Sequence, residues 1–301
     1  MRSGAVEAVV ACLLMAFGAR GALAQASMPT PQEKAWETLE EGIQGKSTAN
    51  RSIAVRELGL LPGEAKAVEL AEAALKDAKP EVRAAAAAGL GQMCSRSSVG
   101  KLEGVLDDKE TAVVLAAASS LVRLKDKRGY EVYYAVLTGK RKAGKGLIAE
   151  QMKTLKDPKK MALFGFEEGL GYVPFAGMGF EAFKVITKDD ASPVRAAAAK
   201  MLAKDPDPES SEALADASSD KSWKVRIAAL EAIAKRGDPK LLDEVEGAMS
   251  DEKPGVRYTA AAAVIRLTTV AKEGKQQGTD ESGFARESND GNGCSESSPG
   301  G

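Results

Sequence analysis

A chain of 301 residues with 44% hydrophobic but only 5% aromatic side chains has enough apolar surface for a sizeable core, and that core must be aliphatic and closely packed. Its 42 Lys and Arg nearly cancel its 43 Asp and Glu, which excludes a global positive field that holds polyanions by counterion release, so no nucleic-acid partner is expected. Histidine is absent, which removes the commonest general base and the commonest metal ligand together.

Residues 1–26 carry Arg2, an apolar run from Ala8 to Phe17 and the segment GARGALAQA, with small residues at Ala22, Ala24 and Ala26. This pattern predicts a secretory leader cleaved after Ala24 or Ala26, and hence an exported protein, periplasmic or secreted. Glu7 and Arg20 depart from the pattern, and an amphipathic helix or uncleaved anchor is the alternative. Cys12 lacks the uninterrupted apolar run that a lipidation signal places ahead of its cysteine. Cleavage leaves 40 basic against 42 acidic side chains. No later stretch reaches eighteen apolar residues, so no transmembrane span is expected in the mature chain.

Residues 27–139 begin with Pro31–Gln44, where Trp36, Leu39 and Ile43 stand at helical spacing; this predicts a helix that caps the first of several repeats. The repeats are visible when the chain is aligned on Val55, Val82, Val113, Val194, Val225 and Val256, separated by 27, 31, 81, 31 and 31 residues. Five positions before each valine stands Asn50, Asp77, Asp108, Asp189, Asp220 or Asp251, a side chain that accepts free N–H groups at a helix start. Thirteen positions after it come Ser95, Asp126, Asp207 and Asp238, the last two followed by Pro208 and Pro239, which marks a second helix. Gly237 suits a left-handed stop just before that second start. Each unit therefore reads as two helices joined by a tight turn, with alanine faces that let helix backbones approach closely.

The pattern D-x-x-x-x-V-R-x-x-A-A-x-A-L followed by G-D-P-x-L-L resembles the HEAT repeat, of the short bacterial kind similar to the repeats of phycobilin lyases. The resemblance spans about residues 50–139 and 189–270 and implies an all-α solenoid of about six helical hairpins that binds protein partners. It also implies a structural ladder of Asp77, Asp108, Asp189, Asp220 and Asp251 with Arg56, Arg83, Arg195, Arg226 and Arg257, broken by Val114 in the third unit.

Residues 140–188 interrupt the array. Lys140 to Lys160 holds eight Lys or Arg against Glu150 and Asp157, and five of the seven phenylalanines (Phe164, Phe166, Phe175, Phe180 and Phe183) follow. Ile148, Met152 and Leu155 predict a helix whose outer side carries Lys153, Lys156 and Lys160, while Gly169–Gly179 reads as a loop with Tyr172, Val173, Pro174 and Phe175 at its tip. These residues are the candidate partner-binding set, although the aromatics also suit packing onto the solenoid. Peripheral docking of the insertion on an anionic membrane is the alternative function.

Residues 189–270 hold the last three units, and 271–301, rich in Gly, Ser and charge, form a tail expected to lack order. The sixth unit consequently lacks a second helix. Of the cysteines beyond the leader, Cys94 ends an apolar helix and Cys294 lies in that tail, so the two are not expected to pair. Deoxyhypusine hydroxylase, a HEAT-repeat enzyme, binds iron through His-Glu motifs that this chain does not have. No phosphate loop or nucleophile elbow is present, so no enzymatic activity, catalytic residue, metal or cofactor is expected.

Overall fold

Alanine runs, proline starts and short polar caps set the helix boundaries in the computed structural model, which describes residues 28–138 and 191–277 together with Cys294. Six stacking helices correspond to the six units: α2 (Thr48–Glu57), α4 (Pro80–Gln92), α6 (Thr111–Arg123), α8 (Ser192–Leu202), α10 (Trp223–Arg236) and α12 (Pro254–Gln277). Six flanking helices alternate with them: α1 (Pro31–Gln44), α3 (Ala65–Ala74), α5 (Val99–Gly104), α7 (Lys127–Leu137), α9 (Pro208–Ala217) and α11 (Leu242–Glu246). No strand occurs among the described residues, and all twelve helices belong to one body.

Local chemistry explains the punctuation. Asp126, Asp207 and Asp238 cap the turns that follow by accepting the N–H of Arg128 (2.9 Å), Glu209 (2.9 Å) and Lys240 (3.1 Å). Pro80, Pro208 and Pro254 each occupy the first residue of a helix, where a missing N–H costs nothing. Gly237 closes α10 in the left-handed region (φ 68°), and Cys94 and Lys125 hold the same place after α4 and α6 with φ of 56° and 60°.

The stacking helices touch through small side chains. Ala86, Ala87, Leu90, Ala117 and Leu121 are fully buried where α4 meets α6, and Ser120 in that seam donates to the Ala87 carbonyl at 2.8 Å. A methyl group added at Gly91 would lie 2.6 Å from the Ser120 Cβ, so the seam has no room for one.

The order of the stack is not the order of the sequence. Contacts run α8, α10, α12, α2, α4, α6, so units 4, 5 and 6 precede units 1, 2 and 3 in space. The last stacking helix, α12, thus packs against the first, α2. Helix α1 does not cap an end, contrary to the sequence expectation; it lies between α12 and α2, in the interior of the stack. There Ala35 and Leu39 are fully buried, and a Cβ on Gly42 would fall 2.7 Å from the Tyr258 ring and 2.8 Å from the Ala54 methyl. A buried leucine of this kind contributes about 2 kcal/mol, and the apolar pattern that suggested a cap serves an internal seam. Among the described residues unit 6 has no second helix, and α1 packs against α12.

Units 3 and 4, consecutive in sequence, therefore stand at opposite ends of the stack, and Thr138 and Ala191 mark where the chain leaves one and enters the other. The two ends lie five steps of about 9 Å each apart. Helix α12 also runs to Gln277, past the boundary expected at residue 270.

The tail holds a second correction. Cys294 is buried and joined to Cys94 by a disulfide, with 5.4 Å between Cα atoms and 200 residues between them in sequence. The Gly/Ser composition around Cys294 pointed to disorder, but the covalent bond fixes that residue on the end of α4. The link fastens the segment that follows unit 6 to unit 2, across the seam where α12 meets α2.

Candidate interaction face

The Asp–Arg pairs form between units. Arg83 of unit 2 reaches Asp108 of unit 3 through Nε at 2.7 Å and Nη2 at 2.8 Å. Arg226 of unit 5 reaches Asp251 of unit 6 (Nε to Oδ2 2.7 Å, Nη2 to Oδ1 2.9 Å), and Arg195 of unit 4 pairs with Asp220 of unit 5. Each of these Asp side chains also accepts the N–H two residues on, as Asp108 does from Glu110 at 2.9 Å. Arg83, Arg226 and the three aspartates are thereby each fixed by more than one bond.

In unit 1 the ladder arginine is Arg51, not Arg56. Arg51 donates to both carboxylate oxygens of Asp77 at 3.0 and 3.2 Å and to the Gly45 carbonyl at 3.0 Å. It is the fourth residue of α2 after the Ser47 cap, as Arg83 is the fourth residue of α4, whereas Arg56 is exposed further along. The Val55–Arg56 pair imitates the motif five residues out of register, which produced the short spacing of 27. The true signal is Ser47, which accepts the Asn50 N–H, and Gly45 rather than Asn50 occupies the ladder-carboxylate position. Arg257 donates Nη1 to the carbonyls of Asp251 (2.7 Å) and Glu252 (3.2 Å). Asp189 and the insertion residues Lys153, Lys156, Lys160, Tyr172, Val173, Pro174 and Phe175 lie outside the described residues.

Electrostatics separate the two kinds of seam. Hydrogen bonds from Arg83 hold the Asp108 carboxyl below its ordinary range against partial burial, with the Glu110 N–H assisting. Asp77 and Asp251 are raised by burial but lowered by more through Arg51 and Arg226. Glu57, almost fully buried at the end of α2, shows the reverse. Burial, and then the nearby Glu231 carboxylate, push it up to about 8, against the opposing pull of Arg56, the Thr259 hydroxyl and Lys235. The Thr259 hydroxyl, which donates to the Gly255 carbonyl at 2.8 Å, lies within hydrogen-bonding reach of the Glu57 carboxyl. Glu57 thereby joins unit 1 to unit 6.

Several polar side chains escaped the sequence reading because they serve loops outside the repeated motif. Arg236 donates to the carbonyls of Leu202 (2.9 Å) and Asp207 (3.1 Å), fixing the turn of unit 4 from unit 5. The terminal units expose apolar surface: Tyr130, Tyr134 and Leu137 on α7 at one end, Met201 on α8 at the other. An open pocket of about 220 Å³ lies between α8, α9 and α10, lined by Ala198, Leu202, Leu214 and Val225 with the Arg195–Asp220 pair at its edge. Among the described residues no three His, Cys, Asp or Glu side chains converge to hold a metal, and no helix is long and apolar enough to cross a membrane.

The family model for HEAT repeats matches residues 34–131 and 181–267, more than half of the chain. Among solved structures, the chain is similar to the complex of CpcE and CpcF of phycocyanin lyase from Nostoc sp. PCC7120, at 19% identity over 84% of this chain and 98% of that one, with a TM-score of 0.29. Human deoxyhypusine hydroxylase in complex with glycerol is 16% identical over 79% of this chain and 97% of that one, with a TM-score of 0.33. A designed armadillo repeat protein is 14% identical over 77% of this chain and 98% of that one, with a TM-score of 0.23. No curated protein matches.

Proposed function

The chain belongs to the HEAT-repeat family, whose fold generally mediates protein–protein interaction, and on that premise we propose that it is an exported, non-enzymatic scaffold that binds a protein or peptide. The observation that carries the reading is the use of polar side chains. Ladder and loop groups such as Arg83, Arg226, Asp108 and Arg236 are committed to fixed bonds between units, as a framework requires. The outward face of the stacking helices is left for a partner. The Cys94–Cys294 disulfide supports export, since such bonds persist in oxidising compartments.

Crosslinking and affinity capture from the envelope and secreted fractions of expressing cells test the reading, with N-terminal sequencing of the recovered chain. The expected result is a chain starting at Gln25 or Ser27 that retains a discrete protein partner. A chain still starting at Met1 in the cytosol would remove the export half, and recovery with no protein crosslinked would remove the scaffold half. Comparing the Tyr172→Ala, Phe175→Ala double variant assigns the insertion: loss of the partner places binding there, and retention places it on the stack.

A further inference from the structure

The two layers of the stack are charged oppositely. The six stacking helices hold fourteen Lys or Arg against four Glu, whereas the six flanking helices hold five Lys or Arg against fourteen Asp or Glu. The chain as a whole is near neutral, so this segregation is invisible in its net charge. Ladder pairing accounts for Arg51, Arg83, Arg195 and Arg226. What remains includes Arg56, Arg123, Lys235 and Arg266, none of which forms a salt bridge among the described residues.

Their register places them in a row. Arg123, Lys235 and Arg266 are each the thirteenth residue of their helices, and Arg56, the ninth residue of α2, lies one turn earlier on the corresponding face. In stack order the row reads Lys235, Arg266, Arg56, Gln92, Arg123: four cations on five consecutive helices. Arg266 is half-buried and the others are exposed. Between them the floor consists of small half-buried side chains such as Ser52, Ala84, Ala88 and Ala116, so a bound chain can approach the helices closely. Glu231 on this face is paired with Lys200 at 3.6 Å, and Glu57, next to Arg56 in sequence, is buried away from the surface.

We propose that this face binds an extended acidic polypeptide segment of a partner, with carboxylates at about every third residue. The inference rests on the scaffold reading and names the partner's chemistry. Helices about 9 Å apart match three residues of extended chain at about 3.3 Å each, and the four steps between five helices span about 11 residues. Single cations at that spacing fit side-chain carboxylates better than a nucleic-acid backbone, and the row has no exposed aromatic ring to stack a base or enter a lipid surface.

Fluorescence anisotropy with a labelled 15-residue Glu-Gly-Ser repeat peptide and the full oxidised chain tests the proposal at low ionic strength. Binding is expected to fall at least about ten-fold in 0.5 M NaCl and again in the Arg56→Gln, Arg123→Gln, Lys235→Gln variant, whose unfolding curve serves as the folding control. Lys34→Gln with Lys66→Gln, on the flanking layer, should leave it unchanged. The proposal fails if the triple variant binds as well as the parent or the Glu peptide does not bind. It also fails if a Lys-Gly-Ser peptide, a 15-mer of thymidine or phosphatidylglycerol vesicles bind as tightly. A captured partner that persists on the triple variant would sink this face while leaving the scaffold reading intact.

Discussion

Neighbouring units within each half of the stack are locked by ion pairs, Arg83 to Asp108 or Arg226 to Asp251, whereas unit 6 meets unit 1 through the neutral Glu57 acid, the buried side of α1 and contacts such as Thr269 to Glu64. The two kinds of seam answer pH in opposite directions. Asp108 is depressed when folded, so its contribution is present above its unfolded value near 3.8 and is lost as pH falls through the folded value. Glu57 is raised from 4.5 to about 8, so its contribution is full below pH 4.5 and is lost as pH rises towards 8. Repetition therefore supplies one chemistry for joining adjacent copies, and the seam between the chain's two extremes needed another.

The largest expected effect comes from cutting the covalent link across that exceptional seam. Reduction, or Cys294→Ser, should cost about 5 kcal/mol by chain entropy for a loop of this length. Denaturant melts check this, and hydrogen exchange should quicken in α1 and α12 before α4 and α6; a uniform change along the stack would erase the distinction between seams. Next in size is Glu57→Gln, which keeps the size and polarity of the side chain but cannot ionise. Stability measured from pH 5 to 9 should then lose the alkaline decline of a few kcal/mol that the parent shows, and an unchanged slope would contradict the assignment. Leu39→Ala should cost about 3 kcal/mol, a value that a loosely fitting end cap would not reach; urea titration decides. Smallest is the contrast inside the ladder. Arg83→Ala should cost about 2 kcal/mol because Asp108 stays half-buried without its partner, while exposed Arg56→Ala should stay within about 0.5 kcal/mol.

The hairpins were legible because their signals are local: a capping Asp, a proline, a glycine with positive φ, and alanines at helical spacing. The stack order was not, since every unit offers much the same seam to any neighbour. Two residues and one helix carried the information. Val114 leaves unit 3 without the arginine that would hold a following unit, as suits an end. Gly45 deprives unit 1 of the carboxylate that would receive Arg257. Helix α12, buried all round from Val256 to Ile265 except at Arg257, reads as an internal rather than a terminal element. The first unit was misread because Val55–Arg56 satisfied the motif while Arg51 satisfied the geometry. The disulfide was missed because the composition of a tail says nothing about one cysteine within it.

Bringing α1 against α12 also constrains the timing of assembly. The hydrogen bond from Lys272 to Gln32 joins residues 240 positions apart. At about 5–20 residues per second of synthesis, the first helix waits on the order of 10 to 50 s for its companion to leave the ribosome. Its side facing α12 stays uncovered throughout that interval, and unit 1 completes its packing only after the newest part of the polypeptide has emerged.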